Sequence, residues 1–208
     1  MGNELFIEKE GKRYARVSSV AGCRKSFDLV PRETLRRKTE IGSYVHEGIK
    51  KFFDGQACVF PNKEPEQSYF RGFLKWLQTF EINIHEFERR VFDEELLLTG
   101  AFDLIASASF SELPAVFDFK TSAVEDRDVW SVQGYFYQKM IADSWERGEE
   151  WTQDWKGVNR DQVFFIRLTP KGDFVPYAYD TDEKVKNRAK ERYEQFCSDN
   201  KELFNREI

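Results

Sequence analysis

Cysteine, histidine and long apolar runs are scarce in this 208-residue chain. Its three cysteines, Cys23, Cys58 and Cys197, are odd in number, far apart and form no Cys-x-x-Cys pair. That pattern speaks against a metal or disulfide role and for three reduced thiols in or near the core. No apolar run approaches the roughly 18 residues of a membrane-spanning helix. The opening Met-Gly-Asn-Glu-Leu-Phe is charged early and lacks a signal-peptide core, and Phe6 breaks the myristoylation pattern. An intracellular, cytoplasmic protein with no membrane partner is expected. There are no repeats, no low-complexity tract and no linker rich in Gly, Pro or Ser. The length suits one domain spanning 1–208, and is too short to imply two.

Twenty Phe, eight Tyr and five Trp supply a core despite 33% charged residues. The net charge of −5 is unevenly spread. Residues 24–51 carry eight basic side chains, among them Arg36, Arg37 and Lys38, against four acids. Residues 81–112 carry eight acids against Arg89 and Arg90. The basic run reads either as a solvated helix face or as a segment that grips a nucleic-acid backbone with strong salt dependence.

Patterning predicts a short hairpin (Glu4–Glu8 and Tyr14–Ser18 around Gly11) and helices at Arg32–Lys38, Ser43–Phe53 and Glu64–Phe80. Ser43 is a candidate N-cap, with Val45, Ile49 and Phe52 on one face. Strands follow at Phe87–Phe92, Leu96–Ala106 and Leu113–Thr121, then a helix at Asp128–Trp145. Strands at Gln162–Leu168 and Asp173–Tyr179 and a helix from Asp182 to about Phe204 complete the order. An α/β (α+β) protein with a central mixed sheet flanked by helices is predicted, residues 18–82 being mainly helical.

The chemistry concentrates in Gly100–Lys120. A hairpin centred between Phe110 and Ser111 sets Asp103 opposite Asp118, and Lys120 shares the Asp118 face. Opposed Cβ atoms lie about 4.5–5.5 Å apart, and like charges there repel. Phe102, Leu104, Phe117 and Phe119 bracket the two carboxylates, so the strands demand burial on their other face. A divalent cation or a large pKa shift resolves the repulsion; a metal held by Asp103 and Asp118 beside Lys120 is what phosphodiester hydrolysis needs. The bland alternative is a surface hairpin with an Asp–Lys ion pair. His46 sits at the edge of the buried face of its helix, as a core-edge donor or a ligand for Mn²⁺. Glu88 is a further ligand, directly or through water, or pairs with Arg90 or another basic side chain nearby. Gln133 and Tyr137, four apart, share a helix face beside Val132, Phe136 and Met140; they form a polar stripe or reach Lys120. Thr121 and Ser122 donate to a phosphate or close the strand. His85 has no motif around it and is expected at the surface.

Taken in order, Gly42-Ser-Tyr-Val-His46-Glu47, Glu88, Gly100-x-x-Asp103, Asp118-x-Lys120-Thr-Ser122 and Gln133-x-x-x-Tyr137 resemble the RecB-type branch of the PD-(D/E)XK nuclease superfamily. Arg16-Val-Ser-Ser-Val20 is similar to the start of the mitochondrial-genome-maintenance and phage exonucleases within it. The resemblance implies a restriction-endonuclease-like core and a Mg²⁺- or Mn²⁺-dependent DNA exonuclease acting on single strands or DNA ends in repair, recombination or phage DNA processing. It implies Asp103, Asp118, His46 and the Phe119 backbone carbonyl as metal ligands, Glu88 as a possible one, and Lys120, Gln133 and Tyr137 around the reaction. An arch from Ser18–Lys51 would thread one strand, with Arg36, Arg37 and Lys38 on backbone and Phe27 or Tyr44 on bases. Some members carry a four-cysteine iron–sulfur cluster, which three cysteines cannot build. No helicase region is present, so recombination or replication proteins would act in trans. Rival readings are a structure-specific endonuclease, a catalytically silent nucleic-acid-binding accessory module, and a partner-binding domain that uses the tryptophans and the acidic face.

Overall fold

The computed structural model describes residues 5–26, 29–57 and 64–204. Phe27 and Cys58 lie outside them. Elements follow in the order β1 (Phe6–Lys9), β2 (Lys12–Arg16), α1 (Val17–Ala21), α2 (Arg32–Phe53), α3 (Glu66–Thr79), β3 (Ile82–Phe87), β4 (Arg90–Asp93), β5 (Leu98–Ala101), β6 (Leu104–Ala108), β7 (Ser111–Lys120), α4 (Arg127–Glu146), a 3₁₀ turn (Glu150–Thr152), β8 (Gln162–Leu168), β9 (Phe174–Asp180), α5 (Glu183–Asp199) and α6 (Lys201–Phe204).

The protein is mixed α+β, with two mixed sheets where one was expected. A five-stranded sheet runs β3-β6-β7-β8-β9 and a four-stranded one β1-β2-β5-β4. In the larger sheet β7 pairs antiparallel with β6 and parallel with β8. In the smaller, β2 pairs parallel with β5. Helices α2 and α3 cover one face of the larger sheet, where Phe73 and Trp76 meet Phe117 and Phe119. Trp76 stands edge-on to Phe119 at 5.2 Å between centroids. Burying each of these phenylalanines contributes roughly 1.5–3 kcal/mol. On the other face α4 packs against Val116, Val163 and Phe165, with α1, α5 and the small sheet beyond. That approach is close: a Cβ on Gly134 would lie 2.4 Å from Val163 Cγ2, so only glycine fits.

Several predicted boundaries need correction. Arg32–Lys38 and Ser43–Phe53 are one continuous helix, and Ser43 lies inside it rather than capping it. The residues between are Thr, Glu, Ile and Gly, and nothing in them stops a helix begun after Pro31. The strands predicted at Phe87–Phe92 and Leu96–Ala106 are each broken, because the chain changes sheets within them. Glu88 sits between β3 and β4 at φ 50°, and Phe102–Asp103 separates β5 from β6. Val17 and Ser18 start a helix instead of ending a strand. The last helix breaks at Asn200. Among the described residues no helix is long and apolar enough to cross a membrane.

Candidate active site

Strand β7 alternates its side chains between two environments. Phe117 and Phe119 enter the aromatic core under α2 and α3, while Asp118 and Lys120 turn towards α4. The predicted register holds from Ala106↔Ala115 to Leu104↔Phe117, but nearer the turn Ala108 pairs with Ser111, so the turn is Ser109–Phe110 and a bulge lies between. Pairing stops at Leu104↔Phe117, one step before Asp103 and Asp118, as the chain leaves for the small sheet. Asp103 stays level with β7 by a different bond: its Oδ2 accepts from the Phe119 N–H at 2.6 Å. Its other oxygen, Oδ1, lies 3.0 Å from His46 Nδ1. His46 arrives from α2, which passes the end of β7 where Gly42 faces Thr121.

Asp118 is 2% exposed. Lys120 Nζ lies 2.5 Å from Asp118 Oδ2 and donates to Gln133 Oε1 at 3.2 Å. The amide nitrogen of Gln133 donates to Tyr137 Oη at 3.0 Å and reaches Asp118 Oδ1 at 3.5 Å. One α4 residue therefore touches the lysine, the carboxylate and the tyrosine. The Lys120 ammonium is the close partner of the buried Asp118 Oδ2, an ion pair taken out of water. Two buried acids, Asp103 and Asp118, thus share one ammonium and one imidazole, and a further cation would be favoured beside them.

Glu88 completes the cluster. Ligand atoms of His46, Glu88 and Asp103 all lie within 4.8 Å of one another. An octahedral ion with bonds of about 2.1 Å spans roughly 4.2 Å between opposite ligands, so small adjustments suffice. The left-handed backbone of Glu88 is unusual for a residue with a side chain and stores roughly 1–3 kcal/mol of strain. Its N–H is tied to the Asp103 carbonyl at 3.0 Å, which fixes the two acids together. No ion pair joins Glu88 to Arg90 among the described residues. Imidazole with carboxylates is a donor set that suits Mg²⁺ or Mn²⁺.

The electrostatics are those of crowded acids. Burial pushes the Asp118 pKa up to about 6, with Asp103 adding to the rise and Lys120 opposing it. For Asp103, burial acts upward but is outweighed by His46, Lys120 and the Phe119 N–H, which hold it below the usual range. Burial alone would lower His46; the Asp103 and Asp118 charges instead raise it to about 9. Burial and the neighbouring Asp103 raise Glu88. Tyr137 is raised by burial and by Asp118. A dication would reverse most of these penalties at once.

A cleft of about 490 Å³ adjoins the cluster, lined by His46 and Lys120, by Thr121 and Ser122, and by Lys25 and Lys38. Of the remaining predicted contacts, Arg36 pairs loosely with Glu40 at 3.7 Å. Arg37 is committed to the fully buried Glu66 at 2.7 Å. Tyr44, 46% exposed, stands two residues from His46 and hence on the far side of α2. Arg36, Arg37 and Tyr44 do not line the cleft, whereas Lys38, Thr121 and Ser122 do. Lys25 and Val124 also line it and escaped prediction; Lys25 was counted only within a basic run, and a loop valine carries no signal. His85, expected at the surface, is half-buried and sits 3.0 Å from Ser107 Oγ.

No family model matches the chain, and no curated protein is detectably similar to it. Among solved structures it is similar to an alkaline exonuclease. That protein, LHK-Exo from Laribacter hongkongensis, aligns at 8% identity and a TM-score of 0.42, over 92% of this chain and 89% of its own. A structure of LHK-Exo in complex with dAMP aligns at 7% identity and a TM-score of 0.39, over 91% and 88%. Likenesses this remote establish neither family nor activity.

Proposed function

We propose that this chain is a Mg²⁺- or Mn²⁺-dependent deoxyribonuclease of the PD-(D/E)XK type, acting as an exonuclease on single-stranded DNA or DNA ends. The observation that carries the reading is the buried Asp118–Lys120 ion pair next to the His46–Glu88–Asp103 cluster. His46, Asp103, Asp118 and the Phe119 carbonyl, with Glu88, would hold the ion. A bound dication supplies Lewis acidity towards the phosphate and lowers the pKa of a water.

The protein's own groups do the rest. The Phe119 N–H and His46 orient Asp103 so that both its oxygens are fixed before substrate arrives. Gln133 holds Lys120 in place through Oε1. From there the ammonium aligns the attacking water and offsets negative charge that builds on the phosphate. Tyr137 accepts from Gln133 and so keeps its own proton for donation. Lys38, Thr121 and Ser122 receive the strand in the cleft.

Purified protein incubated with end-labelled single-stranded oligonucleotides and Mn²⁺ should shorten them, and EDTA should stop the reaction. Lys120→Ala should fold normally and lose cleavage by more than about a hundredfold, the usual scale for a positioned acid–base or charge-stabilising group. Turnover like wild type by Lys120→Ala would remove the assignment. Circular single-stranded DNA separates the modes: resistance supports an exonuclease, and rapid cutting makes the enzyme an endonuclease.

A further inference from the structure

A second basic groove opens on the opposite side of the cluster from the Lys38–Ser122 cleft. Past Glu88, with its left-handed turn, Arg89 and Arg90 line a groove of about 360 Å³ together with Lys9, Phe92, Arg147 and Trp151. The acids bordering it are already matched. Glu149 binds Arg147 at 2.6 Å, and Glu94 accepts from Tyr14 at 2.7 Å and pairs with Lys12 at 2.9 Å. Three cations remain with capacity to spare. Lys9 Nζ stands over the Phe92 ring at 4.4 Å. Arg89 lies over the Trp151 ring at 5.0 Å and gives one nitrogen to Glu86 at 2.8 Å, yet its Nε is buried without a partner. Arg90 has no ion pair among the described residues. Four basic side chains, Lys9, Arg89, Arg90 and Arg147, line this groove against Glu94 and Glu149, and such a local excess of positive charge on a protein of net charge −5 marks a place for an anion.

Helix α4 supplies the scale. Trp130 lines the first cleft, Gln133 and Tyr137 stand at the cluster, and Ser144 lines the second groove. From Trp130 to Ser144 is about 21 Å at 1.5 Å per residue. That is roughly six nucleotides at the 3.4 Å per-strand spacing of stacked DNA. Arg90 follows Glu88 within about 8 Å of chain, which keeps the groove next to the cluster. The aromatic rings are not open to bases: Lys9 covers Phe92, and Trp151 is flanked by Arg89 and by Phe102 at 6.2 Å.

We propose that this groove binds the phosphodiester backbone of the same DNA strand that the metal cluster cuts, through Lys9, Arg89 and Arg90, on the far side of the scissile phosphate. The inference rests on the nuclease reading for the identity of the strand. Contact is to phosphate and so independent of sequence.

The test is binding of a fluorescein-labelled 15-nucleotide single strand in EDTA, where nothing is cut, across a salt series. Wild type and the Lys9→Gln, Arg90→Gln and double variants are compared, with melting temperatures to confirm folding. Each phosphate contact contributes about 0.7 to the slope of log K against log salt for single strands. The slope should fall by about 0.7 in each single variant and about 1.4 in the double variant. An unchanged slope in folded variants overturns the groove. So does absence of binding by wild type, or competition by polyglutamate equal to that by an oligonucleotide of the same charge. Cleavage in Mn²⁺ is scored separately. Cleavage with an unchanged slope sinks the groove alone, while a reduced slope without any cleavage keeps a backbone groove and sinks the nuclease.

Discussion

Asp118→Asn should stabilise the metal-free protein while abolishing its chemistry. The wild-type carboxyl is 2% exposed, and burial pushes its pKa up to about 6 from an ordinary 3.8. At pH 7.5 folding therefore places a charge where the native state disfavours it. Two pKa units at 1.36 kcal/mol each amount to about 3 kcal/mol. Because the folded pKa lies above the unfolded one, the penalty is full above about pH 6 and fades as pH falls towards 4. Asparagine keeps the shape and removes the charge. Against this gain, Lys120 loses its counter-ion; its side chain is 21% exposed and retains Gln133, so the loss is smaller. A net gain of about 1–3 kcal/mol corresponds to a rise of roughly 2–10 °C in melting temperature for a chain this long. Thermal melts in EDTA at pH 7.5 and pH 5 measure it, and the difference between variant and wild type should shrink at the lower pH. With saturating Mn²⁺ the order should reverse, since a ligand at a hundred times its Kd adds about 2.7 kcal/mol to whichever protein binds it. If the variant melts at or below wild type in EDTA at pH 7.5, the carboxylate is not held at a cost and the metal-site argument fails.

His46→Gln should remove a pH dependence. The folded pKa of about 9 lies above 6.5, so the His46–Asp103 pair stabilises below about pH 6.5 and loses its contribution as pH rises through 9. Solvent at the one-third-exposed ring trims this to roughly 1–2 kcal/mol; wild type should lose stability between pH 7 and 10 in EDTA, and the variant should not. Arg37→Ala strands the fully buried Glu66, and unfolding in urea should show a loss of about 3–5 kcal/mol. Gly100→Ala places a Cβ 2.2 Å from Tyr137 Cε1; forced movement of that ring should cost about 1–3 kcal/mol in the same assay and weaken cleavage.

The hairpin register, the α4 boundaries and strand β8 were legible in the sequence because each is governed by near-neighbour patterning. Leu104, Val116 and Phe117 pair as expected, although the turn is Ser109–Phe110 rather than centred between Phe110 and Ser111, and a bulge between Ala106 and Ala108 restores the register; Gln162–Leu168 stands within its expected bounds. The interval from Phe87 to Asp103 was misread. Its strands take partners from two sheets, and one of them, β5, pairs with β2, over eighty residues away in sequence. No local period records such a pairing. The candidate ligands were found by residue type and order. The Arg89–Arg90 groove was not, since its other walls, Lys9 and Trp151, come from β1 and from the 3₁₀ turn after α4, both remote from it in sequence.

Strand β7 is central in its sheet, paired with β6 up to Phe117 and with β8 from Phe117 to Lys120, whereas α2 packs on the sheet through side chains. Local openings should thus release His46 long before they disturb Asp118 or Lys120. Amide exchange ought to be slowest along Phe117–Lys120 and faster in α2. An ion bridging the two would fasten a peripheral helix onto the innermost strand, so that loading with metal would register most clearly in the exchange of α2.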